Sequence, residues 1–370
     1  MNLSGNQRRV YLLALGLLVL AVALVCAWSL WLRPAGTAAP AQPDARGAEP
    51  SAQPETTAEP MGVSSNAGAE PENDGVQKVS TIVYYQDNYG YLVPVMCSVP
   101  LEDGIAKATL NRMVQSVGND MQAARLGLRT VLPENTKIDL DISEGLARID
   151  LSKEVLNMAD AAAESNMVSA IVQTLTEFDS VEKVEFLIDG KKRDTLTHGT
   201  SVAGTFTRGD INLETAEPTV SLSASEPMTL YFPADSGAVI VPVTRMVREG
   251  ADVNTAVMEL AKGPSNQDIL ESVVPPGCGL IDVNVENGVA KLNFTDEFVN
   301  LVQNSDGGRM ALKALVLTCT QFKGVDSVEI YVDGVKYDAG DLGVPSFVNV
   351  ADSIVYDYIQ TQSAMIFDFE

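Results

Sequence analysis

The sequence predicts an α+β protein made of two tandem repeats behind an N-terminal transmembrane helix. Each repeat reads ββα-ββα-ββ, with two helices packed on a mainly antiparallel sheet. Three observations predict this. VENGVAKLNF at 285–294 writes the same β-run, polar-Gly turn and β-run as ISEGLARIDL at 142–151. Longer blocks repeat in the same order on either side: TIVYYQDNYGYLVPV (81–95) with MTLYFPADSGAVIVPV (228–243), and FDSVEKVEFLIDGKK (178–192) with FKGVDSVEIYVDGVK (322–336). Finally, the run from Tyr11 to Leu32, YLLALGLLVLAVALVCAWSLWL, holds 22 residues without a charge. Ordered blocks at a nearly constant spacing are what a duplicated unit leaves behind, with small drifts where loops differ.

Taken from the N-terminus, residues 1–10 carry Arg8 and Arg9 and no acid. Residues 11–32, as a helix, reach about 33 Å, enough to cross a bilayer's hydrocarbon core. Trp28 and Trp31 stand near one end and only Arg33 flanks it there. That asymmetry predicts a cytoplasmic N-terminus and an extracytoplasmic remainder in the cell membrane, crossed once. A lipid anchor at Cys26 and a cleaved signal are the alternatives; Val25 stands where a lipoprotein signal prefers a small residue. Residues 33–78 are rich in Ala, Pro, Glu, Ser and Gly with almost no bulky apolar side chain, the composition of a disordered tether.

The first copy is assigned 79–210, a linker 211–226, the second copy 227–345 and a tail 346–370. Each copy opens with two β-runs about a polar turn, QDNYG or PADSG. A helix follows, with Ala106, Thr109, Leu110, Met113 and Val114 matching Val253, Ala256, Val257, Leu260 and Ala261 at a 3–4 spacing. In the next hairpin, Glu144-Gly145 and Asn287-Gly288 fit a two-residue turn whose central residues both need positive φ. A longer amphipathic helix aligns Met167, Ile171, Val172, Leu175 and Phe178 with Ala311, Leu315, Val316, Cys319 and Phe322. A last strand pair turns at Asp189-Gly190 and Asp333-Gly334. The apolar tail after Asp341 reads either as the finish of the second copy or as a partner-binding segment or added strand.

Composition narrows the function. The chain holds 49 acidic against 25 basic residues, a formal charge of −24, which repels phosphate backbones and excludes nucleic acid as a partner. Outside the apolar run only Cys97, Cys278 and Cys319 remain, an odd number and too few for a disulfide-built fold, although a Cys278–Cys319 bridge stays open. No residue is assigned a catalytic, cofactor-binding or metal-ligating role, and no cofactor is expected. His198 is the single histidine, expected as a solvated loop residue. Asp139 and Asp141 share a strand face, but copy two has Asp282 and Asn284, so no acid pair is kept for glycoside cleavage. Asp189 and Asp333 are explained as turn residues. Gly307-Gly308 precedes a helix without the lysine of a phosphate loop.

The blocks LYFPADSGAVIVPVTR (230–245), ELAKGPSN (259–266), VVPPGCGLIDVNVENGVAKLNFTDEF (273–298) and FKGVDSVEIYVDGVK (322–336), with their partners in copy one, resemble the GerMN domain family of endospore-forming bacteria. The resemblance covers nearly everything from Val79 to Asp341. It implies a non-enzymatic α+β protein of the extracytoplasmic envelope, serving sporulation or spore germination through assembly with envelope or sporulation proteins or as a homo-oligomer. Binding of peptidoglycan or a small ligand is the alternative. Copy one departs at the exit of its first helix, where Ser116-Val117 replaces Gly263-Pro264 and about five extra residues follow.

Overall fold

The computed structural model describes residues 77–101, 104–214, 224–302, 307–337 and 349. The expected span 11–32, the tether as far as residue 76 and the tail apart from Asn349 lie outside the described residues. Among those described, no helix is long and apolar enough to cross a membrane.

Copy one opens with a hairpin of β1 (Lys78–Gln86) and β2 (Leu92–Pro100), in which Tyr84 lies opposite Pro94. Helices α1 (Ile105–Asn111) and α2 (Val117–Ala124) follow, then the hairpin β3 (Ile138–Ser143) and β4 (Leu146–Leu151). After a 3₁₀ turn comes α3 (Ala161–Leu175), then β5 (Lys183–Ile188) and the two-residue β6 (Thr205–Phe206). Copy two repeats the plan with β7 (Ser225–Pro233), β8 (Ile240–Arg248), α4 (Val253–Ala261), β9 (Leu280–Glu286) and β10 (Val289–Phe294). It ends with the one-turn α5 (Val299–Val302), α6 (Gly307–Thr320), β11 (Ser327–Val332) and β12 (Val335–Lys336).

The sequence pattern explains most of these elements. In β4 and β5, Ala147, Ile149 and Leu151, and Val184, Phe186 and Ile188, alternate into the core at period two. On α3, Met167, Ile171, Val172 and Leu175 are buried, as their helical spacing demands. Each such aliphatic or aromatic side chain stabilises the fold by about 1.5–3 kcal/mol. Both middle hairpins turn on two left-handed residues, with φ 51° and 78° at Glu144-Gly145 and 52° and 81° at Asn287-Gly288. At Gly288 a Cβ would come within 2.5 Å of an Asp326 carboxylate oxygen, which would have to turn away, while the positive φ is what favours glycine there.

Five features differ from the sequence reading. Each copy holds two sheets, a two-stranded one (β1-β2, β7-β8) and a four-stranded one (β3-β4-β5-β6, β12-β11-β10-β9). Within the larger sheets, β4 pairs with β5, and β10 with β11, in parallel, because the long helix between them is a crossover connection. The extra residues of copy one form α2, whose N-terminus is capped by the Ser116 hydroxyl accepting from the Asn119 N–H at 3.2 Å. The Asp189-Gly190 turn closes only a single bridge, Ile188 to Lys191, and β5 finds its antiparallel partner later, in β6. Ala261, expected on the core face of α4, is exposed at the helix end. Among the described residues, Cys97, Cys278 and Cys319 form no disulfide; burial pushes Cys319 up to about 12.

Candidate functional site

The outer edges of β2 and β8 face one another, and neither can form a continuous ladder with the other. Along β2, the backbone groups of Leu92, Pro94 and Met96 point to this edge, and Pro94 has no N–H to give. Pro242 occupies the equivalent place in β8, since YLVPV and VIVPV align. Two asparagine side chains stand in for the missing ladder. Asn212 Oδ1 accepts the Leu92 N–H at 2.8 Å, and its Nδ2 donates to Leu92 O at 2.8 Å and Pro242 O at 2.7 Å. Asn349 Oδ1 accepts the Ile240 N–H at 2.8 Å, and its Nδ2 donates to Ile240 O and Pro94 O, both at 2.9 Å. Leu92 and Ile240 are equivalent, as are Pro94 and Pro242. The two clamps are therefore related by a local twofold axis, with β2 and β8 antiparallel across it.

The backbone extends the clamps. Met96 N–H donates to Asn349 O at 2.8 Å, and residues 211–214 run beside β8, with Thr244 N–H donating to Ile211 O and Glu214 N–H to Thr244 O. Asn212 has φ 49°, a left-handed conformation that asparagine tolerates better than most residues. Asn349 is only 3% exposed, so each of its bonds replaces water rather than competing with it.

Below the clamps lies a cavity of about 360 Å³, bordered by Tyr84, Tyr231, Pro94, Pro242, Glu177 and Arg208. Tyr84 and Tyr231 are again equivalent across the repeats. Tyr84 Oη donates to Glu177 Oε1 at 2.7 Å, and Arg208 Nη2 donates to Tyr84 Oη at 2.8 Å and also to Glu177. Burial, reinforced by the Glu177 carboxylate, raises the Tyr84 phenol well above its ordinary range; burial raises Tyr231 too, against the opposing Arg208 charge. Both shifts favour the neutral phenol.

The inner edge is treated identically in both copies. The Tyr84 N–H donates to Thr174 Oγ1 and the Tyr231 N–H to Thr318 Oγ1, each at 3.2 Å. Both threonines are fully buried and sit on the long helices α3 and α6. A helix hydroxyl thus satisfies a strand donor that no neighbouring strand reaches.

In the linker, Glu214 is also fixed from copy two. Arg245 Nε donates to Glu214 Oε2 at 2.7 Å, while its other nitrogens reach Glu259 O, Glu259 Oε2 and Gly263 O. Its guanidinium lies over the Phe232 ring at 6.0 Å from the centroid.

Residues 82–194 and 229–338 match the Germane family, described as sporulation and spore germination. The chain belongs to this family. The Germane chain is thus a sporulation- and germination-related protein with tandem GerMN-type domains. It is 32% identical over 276 residues to the spore germination protein GerM of Bacillus subtilis (strain 168), covering 70% of this chain and 73% of that one. The solved tandem GerMN domains of the B. subtilis sporulation protein GerM match with a TM-score of 0.61 at 30% identity, over 74% of this chain and 99% of theirs. The first GerMN domain of the same protein, solved alone, matches at 30% identity over 35% of this chain and 98% of its own, with a TM-score of 0.33.

The residues weighed for chemistry in the Germane chain are scattered. Asp139 and Asp141 are exposed and paired with Lys107 at 3.5 Å and Arg148 at 3.7 Å. Asp282 accepts from Asn293, and Asn284 donates to Glu286. His198 is exposed, with its Nε2 2.9 Å from Met158 O. Its loop is held by Glu164, a fully buried carboxylate that accepts the N–H groups of His198 and Thr200. Among the described residues no group of three or more His, Cys, Asp or Glu is placed to hold a metal ion. Sequence reasoning missed Asn212, Asn349, Arg208 and Glu164. It had a usable signal only for Thr174 and Thr318, hydroxyls at the same place in the aligned runs IVQTLTEF and LVLTCTQF.

Proposed function

We propose that this Germane protein is a non-enzymatic, membrane-anchored component of the extracytoplasmic envelope that acts in sporulation or germination by assembling with other envelope proteins or with further copies of itself. The observation that carries the reading is the twofold seam. Its two asparagines, Asn212 and Asn349, spend their side-chain polar atoms on joining strand edges of the two copies, which is the use expected of an adhesive unit. The seam residues do not include the edge strands of the larger sheets. Strands β3 and β9 each form one edge of the two larger sheets, the short β6 and β12 forming the other edges. Along β9, Ile281 is 50% and Val285 44% exposed, whereas Ile138 of β3 is 6% exposed. An outer strand with apolar side chains and unpaired backbone groups is suited to pairing with another chain.

Anchoring is supported by the uncharged run Tyr11–Leu32 with Arg8 and Arg9 before it. A lipid anchor at Cys26 would serve the same end. The test is photo-crosslinking in native membranes from sporulating cells, with the crosslinker placed at Ile281 or Val285. Discrete adducts are expected. A protein that gives none, and whose purified form stays monomeric alone and with envelope extract, would refute the proposal.

A further inference from the structure

Copy one carries a second feature, lined by residues other than those of the seam clamps. The β1–β2 turn, the segment 128–133, helix α2 and the start of α3 enclose an open cleft of about 710 Å³, within the usual size of ligand pockets. Five of its twenty lining residues are side-chain amides, Gln86, Asn88, Gln115, Asn157 and Asn166. Only three are charged, in a chain whose net charge is −24. Two of those three have assigned bonds: Asp160 caps α3 by accepting the Ala163 N–H, and Asp120 accepts the Thr130 hydroxyl. Arg129 is the third. The floor is apolar, with Leu128, Val131 and Leu132 buried beneath it. At the rim stands Tyr89, 61% exposed, the most exposed aromatic ring among the large hydrophobic side chains of the described residues.

That rim is held in place. Asp87 Oδ1 accepts the N–H groups of both Tyr89 and Tyr91 at 2.8 Å, and Asn166 Nδ2 donates to Gly90 O at 2.9 Å. Copy two, with the same hairpin, has Pro233, Asp235 and Ser236 where copy one has Gln86, Asn88 and Tyr89. The duplicated frame therefore did not require these residues in copy one.

We infer that the cleft of copy one binds a neutral oligosaccharide bearing acetamido groups. An amide side chain offers a donor and an acceptor side by side, which matches the N–H and C=O of an acetamido substituent and the hydroxyls of a sugar ring. A tyrosine ring at the rim gives the apolar face of a pyranose a flat partner while its hydroxyl stays in water. Near-neutral lining disfavours nucleotides, polyanions and basic peptides alike. This goes beyond the assembly reading and does not depend on it, since no cleft residue belongs to the clamps at Asn212 and Asn349.

The experiment is titration calorimetry of the full-length protein in mild detergent with the tetramer of N-acetylglucosamine, and with cellotetraose as the analogue lacking acetamido groups. Saturable binding with Kd on the order of 0.1 mM is expected for the first. Cellotetraose, Tyr89→Ala and Gln115→Ala should each weaken it about tenfold, while Ser236→Ala in copy two leaves it unchanged. Tyr89 is exposed, so its replacement keeps the fold. No saturable binding, equal affinity for cellotetraose, or binding that survives both cleft substitutions would overturn the inference. None of these results would alter crosslinking at β9, so the two proposals fail separately.

Discussion

At the place where the second strand of each opening hairpin passes under the first helix, copy one has Cys97 and copy two has Arg245. Cys97 is 5% exposed, and its sulfur lies 3.8 Å from the Tyr85 hydroxyl. Arg245 has a side chain 12% exposed, between the carboxylates of Glu214, 5% exposed, and Glu259, 14% exposed. The partner rings follow the same split, Tyr85 in one copy and Phe232 in the other. The same backbone position therefore carries a small soft side chain within a packed core, or the centre of an ionic group that ties the linker to the strand and to α4. The difference teaches where the linker belongs: Glu214 is part of the structure of copy two.

Arg245→Met tests this most strongly. It leaves Glu214 with only the Ser265 N–H, Glu259 with only Lys262, and two carbonyls without the arginine, in a largely buried place, and removing one partner of such a group costs about 3 kcal/mol. Cys97→Ala in copy one removes one small buried group and should cost about 1 kcal/mol. Urea unfolding of both variants checks the contrast. Equal losses would mean that the ionic group is no more than a surface pair.

The seam sharpens the comparison, because its two clamps are alike in bonding and unlike in burial. Asn349→Ala leaves Ile240 N–H, Ile240 O and Pro94 O unpaired at a 3%-exposed position, at about 3 kcal/mol. Asn212→Ala leaves an equivalent set with water close by, at about 2 kcal/mol. Since both hold the same strand edges, the double variant should lose less than the sum. Unfolding monitored separately in each copy should lose its coincidence in the double variant. Strictly additive losses in a single transition would show that the copies are held by other contacts.

How far the sequence led can be judged at these residues. The repeat, the four-residue periodicity of α3 and α6 and the turns at Gly145 and Gly288 were all legible, because each is a local requirement written twice. The parallel pairing of β4 with β5 was not. The Asp189-Gly190 turn looked like a hairpin in its own right, and the competing crossover through α3 is a long-range choice. Asn212 and Asn349 were illegible for a related reason. Each lies in a polar or irregular segment where asparagine is ordinary, and only the meeting of Pro94 with Pro242, distant in sequence, gives those side chains their partners. The cleft of copy one was half visible, as an insertion after Ser116 whose folding into α2 the sequence reading did not anticipate.

The smallest effect concerns how the two copies start their first helix. Asp252 caps α4, its Oδ1 accepting the Thr255 N–H at 2.9 Å, whereas α1 begins at Gly104, φ 96°, with no side-chain cap. Asp252→Ala should cost about 1 kcal/mol. Gly104→Asp should give no matching gain, because a left-handed residue cannot direct its side chain as a cap without backbone strain. The backbone N–H bond from Thr255 holds the Asp252 carboxyl below its ordinary value. A group depressed in the folded state contributes stability above its unfolded pKa, about 4, and loses it as pH falls through the lower folded value. Asp252→Asn keeps an acceptor and loses the titration. Its stability should therefore lie slightly below that of the unaltered protein at pH 7, with the gap closing as pH falls below about 4. A gap that stays constant down to pH 2 would show that Asp252 acts through its oxygen alone, and that the two helix starts differ in geometry but not in charge.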